Sequence, residues 1–274
     1  MSLGLTQNSN LVKAYRGERP GTLPVWFMRQ AGRSLPEYLE VRKGISMLDS
    51  CLKPELAAEI TLQPVRRHRV DAGIFFSDIV VPLKLAGVEV EIQPGVGPVM
   101  QEPVRSFETL GKLSAMSQEQ LDPISKAVQL SVAELGATPL IGFGGAPFTL
   151  ASYLIEGGPS KTLPNCRQMM KENPELWHAI LDYCANITSA FIRCQVESGA
   201  SALQLFDSWA GRLGLADYLA FAAPHSKKVM ESLSDLPVAR VHFGVHTGAL
   251  LEAMHSVGAT VMGVDYETSL AEAN

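Results

Sequence analysis

The densest cluster of chemistry-bearing side chains is Met28-Arg29-Gln30-Ala31-Gly32-Arg33, where a glutamine and two small residues separate two arginines. A guanidinium stays protonated and grips a carboxylate through a two-pronged fork, so the pair suits a ligand with several carboxylates. Ala31 and Gly32 let a large ligand come close to the backbone. Spacing alone also permits a plainer role, in which these arginines pair with Glu37 or Glu40.

Three further groups carry chemistry. Phe76-Ser77-Asp78-Ile79 sends an aspartate out of an apolar run. There it can accept hydrogen bonds from several donors on one ligand, balance a developing cation, or simply cap the next turn. Phe143-Gly144-Gly145-Ala146-Pro147-Phe148-Thr149 precedes Tyr153, a source of a hydroxyl and an aromatic wall. Its glycines permit close ligand approach, whereas Phe143 and Phe148 read as packing residues. Phe206-Asp207-Ser208-Trp209-Ala210-Gly211 offers Ser208 as a hydrogen-bond donor, but without the G-x-S-x-G spacing of a hydrolase nucleophile.

Histidine and cysteine add little. His68, His178, His225 and His255 fall in helical stretches or at their ends, where a structural role is expected. His242 and His246 lie four apart around Gly244, a spacing across a strand end that does not favour a metal pair. Cys51, Cys166, Cys184 and Cys194 form no C-x-x-C pair, so reduced, packed thiols are expected and no metal is called for.

Positioning these groups requires alternating strands and helices. Six short apolar runs start at Val25, Gly73, Leu140, Leu203, Val241 and Val261, and most are apolar on both faces, as buried parallel strands are. Pro54 suits a first helical turn, and Ser117-Gln118-Glu119-Gln120 has capping-box spacing. Gly136, Gly199 and Gly258 each precede an apolar run, suggesting one recurring helix-to-strand turn. Polar residues at many strand ends favour a (β/α)8 TIM barrel over a doubly wound sheet, because a barrel gathers its site from all those ends. Gly142-Phe143-Gly144-Gly145 also lacks the spacing of a dinucleotide fingerprint.

Composition narrows the rest. The chain has 274 residues, 46% hydrophobic and 19% charged, with a net charge of −5, so no general attraction to nucleic acid or acidic membrane is expected. No apolar run reaches spanning length, and the first ten residues lack signal-peptide order, so a cytoplasmic location is expected.

The arginine motif, Phe76-Ser77-Asp78-Ile79, Gly145-Ala146-Pro147-Phe148-Thr149 and Phe206-Asp207-Ser208-Trp209-Ala210-Gly211 together resemble the uroporphyrinogen decarboxylase family. The likeness runs through the chain, including Leu62-Gln63-Pro64-Val65-Arg66-Arg67 and a hairpin expected over 88–98. The resemblance implies a cofactor-free carboxy-lyase that converts the acetate side chains of uroporphyrinogen III to methyl groups, and a homodimer. It places Arg29, Gln30, Ala31, Gly32, Arg33, Asp78, Tyr153 and Ser208 on substrate-contacting positions. Asp78 falls on the position that coordinates pyrrole nitrogens, and Arg29 is a candidate proton source. The family's Asn-Leu-Gly-His-Gly motif does not occur. Six runs where a barrel has eight strands suggest a single barrel domain over 1–274, C-terminally incomplete by two β/α units, roughly 60 to 80 residues. The alternatives are a non-catalytic or truncated tetrapyrrole binder and a corrinoid-linked methyltransferase, whose zinc-binding H-x-C pattern is missing.

Overall fold

The computed structural model describes residues 3–273. Five strands form one parallel sheet: β1 (Gly73–Ile74), β4 (Leu140–Gly145), β5 (Ala202–Asp207), β6 (Ala239–Gly244) and β7 (Val261–Gly263), in that order. The hairpin β2 (Val90–Gln93) and β3 (Gly97–Met100) stands apart and antiparallel, within the stretch where a hairpin is expected. Sequential order, with helices between the sheet strands, is the α/β arrangement anticipated from the sequence.

The helix boundaries follow their capping chemistry. In the helix Gln118–Leu135, the Gln120 N–H donates to Ser117 Oγ at 3.3 Å and the Ser117 N–H to Gln120 Oε1 at 2.7 Å. Pro54 opens the helix Pro54–His68, where its missing N–H costs nothing. Gly136, Gly199 and Gly258 have φ of 58°, 120° and 104°, so a glycine with positive φ leads into each of three strands.

Alternation along the strands separates two faces. Ile74, Ile141, Phe143 and Ala202 form a small inner cluster with Leu11, while Trp26 and Phe206 pack against it. Leu140, Leu203 and Leu205 belong to the larger cluster shared with the covering helices. On that outer side the helix Pro174–Glu197 presses hard on β4. A Cβ at Gly142 would lie 3.0 Å from Gln195 Oε1, and one at Gly144 would lie 2.9 Å from Ile192 Cγ1. These two glycines therefore serve helix-on-sheet packing, which for Gly144 corrects the reading as room for a ligand.

A second correction concerns the run from Val25 to Met28, which is not a strand and enters a turn at Met28. The Val25 carbonyl accepts the Asp71 N–H at 2.8 Å, and the Val25 N–H donates to the Asp71 carboxylate at 2.7 Å. The aspartate side chain intercepts the donor that a neighbouring strand would have used, so no ladder propagates. Leu23 remains 85% exposed and Phe27 56% exposed, and five paired strands replace the six expected.

Candidate active site

The chemistry-bearing residues converge on the C-terminal ends of the sheet strands. Asp78 follows β1, Tyr153 lies on the helix Pro147–Glu156 after β4, and Ser208 follows β5. Arg29 reaches the same place from the loop after the run from Val25 to Met28, close enough for its charge to act on both Asp78 and Tyr153.

Asp78 is half-buried, and its carboxyl is held above the ordinary aspartate value by loss of water. The Val80 N–H, at 3.1 Å from Oδ1, and the positive charge of Arg29 oppose that rise. Burial is the larger influence, so this carboxylate has unmet demand for donors or positive charge. Tyr153 is buried and its phenol is pushed up chiefly by burial, with the Asp78 charge adding to the rise and Trp209 and Arg29 opposing it. The Trp209 ring meets Tyr153 edge-on at 6.0 Å between centroids.

Both guanidiniums are available. Arg29 and Arg33 are exposed, and among the described residues neither makes a hydrogen bond or ion pair. Glu37, the plainer partner considered for them, is taken by Arg67 through two 2.7 Å hydrogen bonds. Gln30 is used differently. Its carbonyl accepts the Phe27 N–H at 3.0 Å and its amide donates to the Ala72 carbonyl at 3.2 Å, which ties the arginine loop to the chain entering β1. Ala31 packs against the larger core, and Gly32 has a φ of 152° with open space where a Cβ would stand. Ser208 is exposed.

The inner face supplies an apolar floor that residue-by-residue reading missed. Phe143, Phe206 and Phe243 step across β4, β5 and β6 as edge-to-face pairs, with centroids 5.3 and 5.9 Å apart. Each such contact contributes about 0.5–1.5 kcal/mol beyond burial and keeps the floor rigid. The signal was the parity of the strands: each phenylalanine shares its alternation with other inward residues.

Histidines 242 and 246 are not brought together as a pair. His242 is fully buried behind the sheet, whereas His246 is exposed at the rim beside Glu267, 2.6 Å from its carboxylate. All four cysteines are free and buried, as expected, and burial pushes their thiols up.

Comparison with known protein families matches residues 6–274 to uroporphyrinogen decarboxylase (URO-D). The chain belongs to the uroporphyrinogen decarboxylase family. It is 59% identical over 271 residues to uroporphyrinogen decarboxylase of Arthrobacter sp. (strain FB24), covering 99% of this chain and 79% of the relative. Similarity to the Streptomyces avermitilis enzyme is 56% over 268 residues, covering 98% and 76%. A solved methyltransferase from Methanosarcina mazei shares the fold, with a TM-score of 0.77 at 18% identity over 96% of this chain and 76% of that one. The parallel sheet with its covering helices is thus the α/β architecture of a TIM-barrel family. No described helix is long and apolar enough to cross a membrane.

Proposed function

We propose that the chain removes the carboxyl groups from the acetate side chains of uroporphyrinogen III, giving coproporphyrinogen III, and that the rim described above performs it. Decarboxylation in tetrapyrrole biosynthesis follows from family membership and identities of 56–59% to curated relatives. The observation that carries the site assignment is the convergence of the unpaired Arg29 guanidinium, one under-supplied carboxylate and one buried phenol at the same strand ends.

In this reading Arg29 and Arg33 grip acetate and propionate carboxylates, which the open backbone at Gly32 brings close. Protonation of a pyrrole carbon makes the ring a cation, and the electrons of the breaking C–C bond flow into it as CO₂ leaves. Asp78 accepts pyrrole N–H groups and stabilises that cation over the phenylalanine floor, where the lack of water strengthens the attraction. Bringing a cationic ring to Asp78 also relieves the cost of its burial, so substrate and site complement each other. Arg29 serves as the proton source, and Tyr153 and Ser208 contact the substrate. The pyrrole ring is its own electron sink, so the reaction calls for no cofactor.

The organisation goes with this proposal. One barrel domain accounts for the sequential parallel sheet and for the clustering of site groups at one end, and we read it as working as a cytoplasmic homodimer. The match spans 79% and 76% of these two relatives' lengths. The methyltransferase alternative finds no support in the thiols. All four are free and packed into the large hydrophobic core.

The test is incubation of the protein with uroporphyrinogen under reducing, oxygen-free conditions, with chromatography to count the carboxyl groups that remain. Stepwise loss is expected. A substrate that keeps every acetate would sink the proposal.

A further inference from the structure

On the outer, helix-covered face of β5 and β6, two fully buried ionisable groups face each other. Asp207 ends β5 and His242 lies in the middle of β6, with Nε2 of the imidazole 3.6 Å from Oδ2 of the carboxylate. Neither of these two atoms has a hydrogen-bond partner among the described residues. The remaining polar atoms of both residues are engaged. His242 Nδ1 lies 3.2 Å from the Met254 carbonyl, and the Thr149 hydroxyl donates to Asp207 Oδ1 at 2.9 Å.

These contacts constrain where the protons sit. A carbonyl oxygen only accepts, so Nδ1 of His242 carries a hydrogen. A neutral ring would then turn a bare Nε2 lone pair toward a carboxylate oxygen, an arrangement of two acceptors that buried surroundings penalise strongly. A second ring proton removes the conflict and makes the contact an ion pair. The Thr149 hydroxyl favours the ionised form of the acid, and the Met254 carbonyl favours the charged form of the ring. Of the neighbouring groups, the buried Tyr218 phenol feels the Asp207 charge, which adds to the effect of burial in holding its proton on.

The pair leads back to the rim. Thr149 accepts the Trp209 N–H at 3.2 Å while donating to Asp207, so the backbone immediately after Ser208 hangs from the same carboxylate. Thr149 lies one turn before Tyr153 on the same helix, and the Trp209 ring packs edge-on against Tyr153. A second bond, from the Ala146 N–H to the Phe206 carbonyl at 2.8 Å, holds the start of that helix to the end of β5.

We propose that Asp207 and His242 form a buried carboxylate–imidazolium pair acting through Thr149 as positioning residues, holding Ser208, Trp209 and Tyr153 in register with Asp78. The inference rests on the decarboxylase reading for its effect on turnover, but the pair itself can be tested without it. In ¹⁵N-histidine-labelled full chain, with the His242 signal assigned by its loss in His242→Gln, both ring nitrogens should be protonated. In Asp207→Asn the Nε2 proton should be lost. A bare Nε2 in the parent overturns the pair.

Removing a buried charge can unfold a chain, so the link to the rim is best tested at Thr149. Thr149→Val keeps the shape and removes the hydroxyl. It should stay folded and lose about ten- to a hundredfold in kcat/KM, the scale of a small misplacement of site groups. Thr149→Ser should recover most of the loss, which a role in packing alone would not produce. A folded Thr149→Val that turns over at the parent rate overturns the positioning role. A parent chain that leaves uroporphyrinogen untouched while His242 is doubly protonated upholds the pair and overturns the reading of function.

Discussion

The groups in front of the sheet and those behind it differ in how far their bonding is completed. In front, Arg29 and Arg33 are exposed and unpaired, and Asp78 is half-buried without enough donors to offset its loss of water. Behind, the same strands are pinned: Gln195 bridges both the Phe143 N–H and its carbonyl, at 2.9 and 2.8 Å, and Thr188 donates to the Gly145 carbonyl at 2.8 Å. Binding chemistry is left unfinished where a ligand can finish it, while the helix-covered back of β4 is bonded internally. Substitutions in front should therefore change kinetics with little loss of fold, and those at the helix-on-sheet contact behind β4 should do the reverse.

Asp78→Asn should give the largest effect. It removes one charge while nearly keeping shape, and turnover should fall about 10²–10³-fold, the usual result of deleting one preorganised electrostatic group. The same variant sharpens the comparison through pH. Because the folded carboxyl is held above its ordinary value, native protein binds this proton more tightly than unfolded chain. Its burden on stability is thus present at neutral pH and is relieved as pH falls through the raised value. Asp78→Asn should consequently match or exceed the parent in thermal stability at pH 7, while parent turnover declines on acidification above the ordinary aspartate range. A destabilised Asp78→Asn would show that this carboxylate belongs to the scaffold.

Arg33→Gln comes next. With no internal partner to lose, it should leave stability unchanged and raise KM about tenfold or more, matching the loss of a hydrogen bond to a charged group, about 1.5–3 kcal/mol. Steady-state kinetics beside a melting curve separate the two quantities, and a fall in melting temperature would break the comparison.

Gly144→Ala tests the rear. Its Cβ would stand 2.9 Å from Ile192 Cγ1 and 3.3 Å from Thr188 Cγ2, so stability should fall by about 1–3 kcal/mol from overpacking. Denaturant unfolding measures the loss. Kinetic constants taken well below the melting temperature should stay close to those of the parent.

Local chemistry made much of this legible in the sequence. The capping box at Ser117, Pro54 at its helix start, the hairpin and the turns at Gly136, Gly199 and Gly258 all depend on groups a few residues apart, so sequence contains their causes. The motifs also flagged Arg29, Arg33, Asp78, Tyr153 and Ser208, since residue type and position at a strand end are local properties.

What sequence left undecided depended on partners far along the chain. Whether Val25–Met28 became a strand turned on Asp71, whose side chain took the Val25 N–H. Whether Gly144 of β4 made room for ligand or for helix turned on Ile192 and Thr188, far along the chain. Glu37, one partner open to the arginine pair, was claimed by Arg67. Asp207 read as one more polar strand end until folding set His242 opposite it, behind the sheet. Residue types and spacing determined which groups could act. Only the tertiary structure, by choosing each group's distant neighbours, decided which stayed unpaired and available at the rim.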